Sequence, residues 1–191
     1  MVFLKRRVLP IKDMIVLEDW LDEIKTSLGY TSLLEQALSK ELGLKVEYVP
    51  DCDLPNDTEA ELRPIDDERF FGLIRISNKY QGTVFSYMHE IMHYLKDVGI
   101  GNRVTTVFTR KIKGKTDSEH EQHINYATAA AIMPYQEIKD ALKKYDVSRP
   151  RMDELKFIAD LCAKYRQDRT AVIRRIQEVR RLYAYRTRGQ T

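Results

Sequence analysis

Hydrophobic positions in the first third of the chain recur with helical spacing. Ile11, Met14, Ile15, Trp20, Leu21, Ile24 and Leu28 predict an amphipathic helix that ends near Gly29. Ser32 and Glu35 have the spacing of a capping box, ahead of Leu34, Leu38 and Leu42 on one helical face, and Gly43 supplies the stop. The period then falls to two. Leu44, Val46 and Tyr48 alternate with Lys45 and Glu47, as in a half-buried strand that Pro50 ends. Residues 51–59 read as loop and residues 70–76 as a more buried strand. A longer helix follows, from about Gly82 or Thr83 to Gly99. Residues 103–112 are rich in β-branched side chains and fit either a strand or a flap. Another helix runs from Thr116 or Ser118 through Ala127, Ala129, Ala130 and Ala131 to Met133, and Pro134 opens the next segment. Two further apolar stripes, Leu155–Ile158–Ala159–Leu161–Cys162 and Val172–Ile173–Ile176–Val179, flank polar residues 166–169 and read as a helix-turn-helix-like pair.

Inside the helix expected before Gly99, residues 85–93 read FSYMHEIMH, so His89, Glu90 and His93 form an H-E-x-x-H run. Four residues advance a helix by about 400°, which puts His89 and His93 one turn apart on one face, where two imidazoles can reach one metal ion. Glu90, rotated about 100° from His89, can meet a water on that metal without being a ligand. Zn2+ suits the arrangement, since a catalytic zinc takes three protein ligands and keeps a position for water. The structural alternative is a helix whose histidines pack on a core and whose glutamate is solvated.

Composition narrows the class. The 191 residues are 43% hydrophobic and 32% charged, as in a globular protein large enough to bury a core. Cys52 and Cys162 are too few and too distant for a disulfide framework, so a reducing compartment, the cytoplasm, is expected. The N-terminal MVFLKRR is not followed by the apolar run of a signal peptide, and no stretch approaches the length of a membrane span, so no membrane association is expected. The net charge of +3 is uneven: residues 164–191 carry nine basic side chains against Asp168 and Glu178. Such a tail either grips an acidic partner, DNA included, or forms the solvated outer face of helices that pack on the rest of the protein; the second is favoured.

Two histidines leave a zinc site incomplete, and the helix beginning near residue 116 offers Glu119, His120, Glu121 and His123. Here two blocks matter. Residues 85–95, FSYMHEIMHYL, resemble the "rFTlAHElGHyL" block of the ImmA/IrrE metallopeptidases, and residues 121–134, EQHINYATAAAIMP, resemble their second block, "ExxANxFAaxLLMP". The resemblance spans roughly residues 30–185. It implies an α+β fold with a zincin-like metallopeptidase core, a small sheet packed on the motif helix, and helix-turn-helix-like helices at the end, divided as residues 1–148 and 149–191. It implies Glu121 as third metal ligand and Asn125, one turn on, as a residue that orients a ligand. The competing role for Glu121 is a capping box with Ser118, although Thr116 with Glu119 offers the same cap one register earlier. His120, His123 and Tyr126 are expected at the surface or supporting the site, and an oxyanion donor stays open among Tyr87, Tyr126, His120 and His123. Met92 stands where the family usually has Gly, Ala127 where it has an aromatic, and His123 at an often acidic position.

The expected activity is therefore zinc-dependent endopeptidase cleavage of a partner protein. The resemblance implies a helix-turn-helix repressor as that partner, with Glu90 as general base. The alternative is a metal-containing regulatory or DNA-binding protein with little proteolytic activity.

Overall fold

The computed structural model describes residues 9–29, 38–80, 84–111, 118–145 and 151–188. They fall into two compact units, one of residues 32–117 and one that joins residues 1–31 to 118–191. The fold is α+β, mostly helical, with one small mixed sheet. Among the described residues no helix is long and apolar enough to cross a membrane.

The unit of residues 32–117 contains the sheet. Helix α2 (Leu38–Glu41) runs into strand β1 (Leu44–Val49), followed by β2 (Thr58–Arg63) and β3 (Gly72–Ser77). Helix α3 (Val84–His93) continues into a π-helical turn, Tyr94–Val98, and β4 (Phe108–Lys111) closes the unit. The strand order is β1-β3-β2-β4, with β1 parallel to β3 and the other two pairings antiparallel. The start of α2, where Ser32 and Glu35 were expected to cap, lies outside the described residues.

Strand β2 was not expected, since residues 51–59 read as loop. Its apolar signal is only Ala60 and Leu62, too short a run to stand out beside Glu59, Glu61 and Arg63. Pairing on both edges nevertheless makes it central, and Glu61 is buried because Arg75 of β3 donates to it at 2.9 Å. Residues 103–112 resolve in favour of a strand, limited to β4 at the sheet edge. Tyr48, expected to face inward, is exposed. Ala60, Leu62, Ile74 and Ile76 share one face of the sheet by register, and with Met88, Ile91 and Met92 of α3 they form a core from which water is excluded.

Among the described residues, the regular elements of the other unit are all helices: α1 (Ile11–Leu28), α4 (Glu119–Ile132), α5 (Tyr135–Lys144), α6 (Arg151–Tyr165) and α7 (Arg169–Arg188). Helix α1 ends where its sequence predicts, at Gly29, whose φ of 71° is the left-handed cap conformation that glycine adopts without strain. Pro134 opens α5. Met14, Leu17 and Leu21 of α1, Ile124, Ala127 and Ala131 of α4, and Val172, Ile176, Val179 and Leu182 of α7 are buried. Ala127, Ala130 and Ala131, the small residues of α4, are buried in this unit.

At the centre of this unit lies a buried charge. Arg175 of α7 is fully buried; it donates to Glu18 of α1 at 2.6 Å, to the Tyr126 hydroxyl at 3.1 Å and to the Met133 carbonyl at the end of α4 at 2.9 Å. Tyr126 in turn donates to Glu18 at 2.7 Å, and burial pushes its phenol well above the usual pKa. One guanidinium thus ties three helices through directional bonds. Arg175→Met should destabilise the protein by about 3–5 kcal/mol, because it strands the Glu18 carboxylate. The double variant Arg175→Met/Glu18→Gln should recover part of that loss in urea unfolding, and a single variant as stable as wild type would contradict the role.

Candidate metal centre

The site is built on α3. Its seven residues 86 and 88–93 are buried, among them His89, Glu90 and His93. The helix is held by apolar positions on the sheet side, so these polar residues are fixed by neighbours rather than by their own rotamer preference. The His89 and His93 rings lie 4.9 Å apart, edge to face. Glu90 is fully buried on the same turn.

Each histidine has a different partner at Nδ1. His93 donates from Nδ1 to the Asp97 carboxylate at 2.7 Å, and Phe108 of β4 stacks on its ring with centroids 5.0 Å apart. In the neutral imidazole this contact makes Nε2 of His93 the lone-pair nitrogen, the form in which histidine ligates a metal. At His89, Nδ1 faces a guanidinium nitrogen of Arg110 at 3.1 Å. Arg110 also donates to Glu59 at 2.8 Å and lies over the Phe85 ring, 4.5 Å from its centroid. Glu59 further accepts from Ser86 of α3 at 3.1 Å. Two buried imidazoles one turn apart, with a carboxylate fixing the tautomer of one, are a donor set that fits a borderline metal such as zinc.

The segment after α3 shapes this set. The amide of Gly99 donates to the Tyr94 carbonyl five residues back at 2.8 Å, which is the π-helical bond. Gly99 has φ 88° and ψ 148°, a conformation essentially confined to glycine, and so ends the helix. The buried Tyr94 hydroxyl accepts from the Gly101 amide and donates to the Asn102 carbonyl, both at 3.2 Å. Asp97 rides on this clamped turn.

The other expected residues lie on α4, in the helical unit. Glu121 is half-buried in the first turn, His120 is exposed, and His123 and Asn125 are half-buried. Ser118 is the N-cap and accepts from the Glu121 backbone amide at 3.1 Å, so the cap engages that residue's amide, while the rival cap at Thr116 lies outside the described residues. His123 sits 3.7 Å from Asp13 of α1. The Tyr126 hydroxyl is engaged by Glu18 and Arg175, and that of Tyr87 accepts from the Ser39 amide at 3.1 Å. Sequence reasoning missed Asp97, Arg110 and Glu59. An acid four residues after the second histidine was a readable signal for the first; the other two arrive through sheet pairing.

Tyr94→Phe should release the 99–102 turn. The expected cost is about 1 kcal/mol for the lost hydroxyl bonds, read as faster amide hydrogen exchange at Gly101; unchanged exchange there would show that the clamp is not needed.

A family model of the IrrE N-terminal-like domain, Peptidase M78, matches residues 55–167, more than half of the chain, including all of α3, β4 and α4. No curated protein matches it by sequence. With H-E-x-x-H on a buried helix inside the matched span, the chain belongs to the Peptidase M78 family of metallopeptidases, the IrrE N-terminal-like proteins.

Proposed function

We propose that this chain is a zinc-dependent endopeptidase with a zincin-like core, that His89, His93 and Glu121 hold the metal, and that Glu90 is the general base. The observation that carries the reading is the buried His89–His93 pair on one face of α3 with Glu90 beside it. Glu121 completes the set because it opens the second motif block and, in the first turn of α4, offers a carboxylate, the usual partner of two histidines at a catalytic zinc. A zinc held there would make a water more acidic and would polarise the scissile carbonyl. Glu90 takes the proton from the attacking water and passes it to the leaving amine, a transfer worth about 10²–10⁴-fold.

The substrate proposed is a helix-turn-helix repressor in the cytoplasm, cleaved to relieve repression. Main-chain hydrogen bonds to a sheet edge recognise an extended segment, so a partner would have to present one. The basic tail supports packing over a DNA-binding role: Arg175 is buried, and Lys164, Arg174 and Arg186 pair with Glu137, Glu178 and Asp19. A helix-turn-helix-like use of α6 and α7 toward a protein partner is part of the proposal.

Three outcomes test this. Purified protein should carry about one zinc per chain, and Glu121→Gln should lose metal where Glu119→Gln keeps it; equal metal in the two variants removes Glu121 from the set. Glu90→Gln should retain zinc and lose turnover by at least about 10²-fold, and near-normal cleavage by it sinks the mechanism. Incubation with the repressor encoded beside its gene, and with casein, should cut the repressor at one place and casein poorly. Fast casein degradation with the repressor untouched refutes the substrate.

A further inference from the structure

The two histidines on α3 are backed by groups of opposite charge, a carboxylate at His93 Nδ1 and a guanidinium at His89 Nδ1. A histidine that ligates through Nε2 must carry its proton on Nδ1. Asp97 can only accept in its ionised form, so it favours the ligating tautomer of His93. Arg110 can only donate, so against it the His89 Nδ1 must accept, which sends the proton of a neutral imidazole to Nε2, the nitrogen a metal would need.

We propose that Asp97 and Arg110 are positioning residues that set metal affinity in opposite directions, Asp97 raising it and Arg110 lowering it. The inference rests on the reading of His89 and His93 as metal ligands. Binding a metal at Nε2 of His89 requires the Arg110 contact to break. The structure provides for this, because Arg110 keeps Glu59 at 2.8 Å and the Phe85 ring when it leaves the imidazole.

Both residues are delivered by irregular backbone. Asp97 lies within the π-helical turn Tyr94–Val98, whose wider winding changes which residue faces back along the helix. Glu59, which holds Arg110, occupies the register shift between Thr58 and Ala60 where β2 pairs with β4. A strictly alternating strand would send Glu59 to the face of Glu61 and Arg75; the bulge turns it toward Ser86 of α3. Two local departures from regular structure on one small unit, each aimed at a different histidine, are what a tuned site needs.

The test measures Zn2+ affinity by competition with a chromophoric chelator at fixed pH, on the full chain, with Co2+ absorption as a readout of ligand geometry. Asp97→Ala should weaken binding by about 10–100-fold and alter the Co2+ spectrum, and Asp97→Asn, whose amide oxygen can still accept from Nδ1, should recover part of it. Arg110→Gln, neutral but able to donate to Glu59, should bind about 3–10-fold more tightly than wild type. A residue that merely supports the fold weakens binding when changed, so the opposite signs separate positioning from structure. Thermal melts identify a misfolded variant; for Arg110 the paired change Glu59→Gln/Arg110→Gln, which leaves no unpaired carboxylate, then replaces the single one. Wild-type affinity in either Asp97→Ala or the Arg110 variant overturns the proposal. A wild-type chain that binds zinc no better than His89→Ala/His93→Ala instead overturns the metal reading itself.

Discussion

Everything in the sheet-containing unit depends on keeping two imidazoles and a carboxylate out of water on one helix. Burying such groups is costly unless neighbours hold them, by several kcal/mol for a charge left uncompensated. Helix α3 meets that constraint by division of labour. Met88, Ile91 and Met92 bind it to the sheet face of Ala60, Leu62, Ile74 and Ile76, while Asp97 and Phe108 hold His93 and Arg110 faces His89. Met92, at a position where the family usually has glycine, is fully buried, so the extra side chain is absorbed into this core.

How much of this could be read from the chain follows from the range of each interaction. The pair His89 and His93, with Glu90, is legible because four residues of helix suffice to bring it together. Helix ends at Gly29, Gly43 and Gly99 were legible for the same reason, each depending on one residue's backbone freedom. Strand β2 was not, because Ala60 and Leu62 are a weak apolar signal and the strand exists through its partners on both sides. Glu59 and Arg110 were hidden more deeply: they are 51 residues apart, and only a particular register with a bulge makes them neighbours. Arg175 was read as one of nine basic residues of a tail, since composition cannot tell a solvated arginine from one that holds three helices.

The two units reach order by different means. The sheet unit uses main-chain pairing and an apolar layer, with Glu61 paired to Arg75 and the polar residues of α3 buried beside it. The helical unit places a guanidinium at its centre, where Glu18, Tyr126 and the Met133 carbonyl accept from it. Apolar packing alone tolerates sliding of one helix on another, whereas an arginine with three acceptors at fixed angles does not. The end of α4 therefore has a defined position relative to α1 and α7, and so has the register of the helix that carries Glu121 in its first turn.

The helical unit is discontinuous in sequence: residues 1–31 belong with 118–191, and the sheet unit lies between them. During synthesis this imposes an order. At about 5–20 residues per second, α1 waits on the order of 5–20 s after leaving the ribosome for α4, and longer for α7. In that interval Met14, Leu17 and Leu21 have none of their final neighbours from those helices, while the contiguous middle segment already holds every strand it requires. A nascent chain is thus most vulnerable at its first helix, and the segment that carries the histidine pair is the part that can mature before the rest is made.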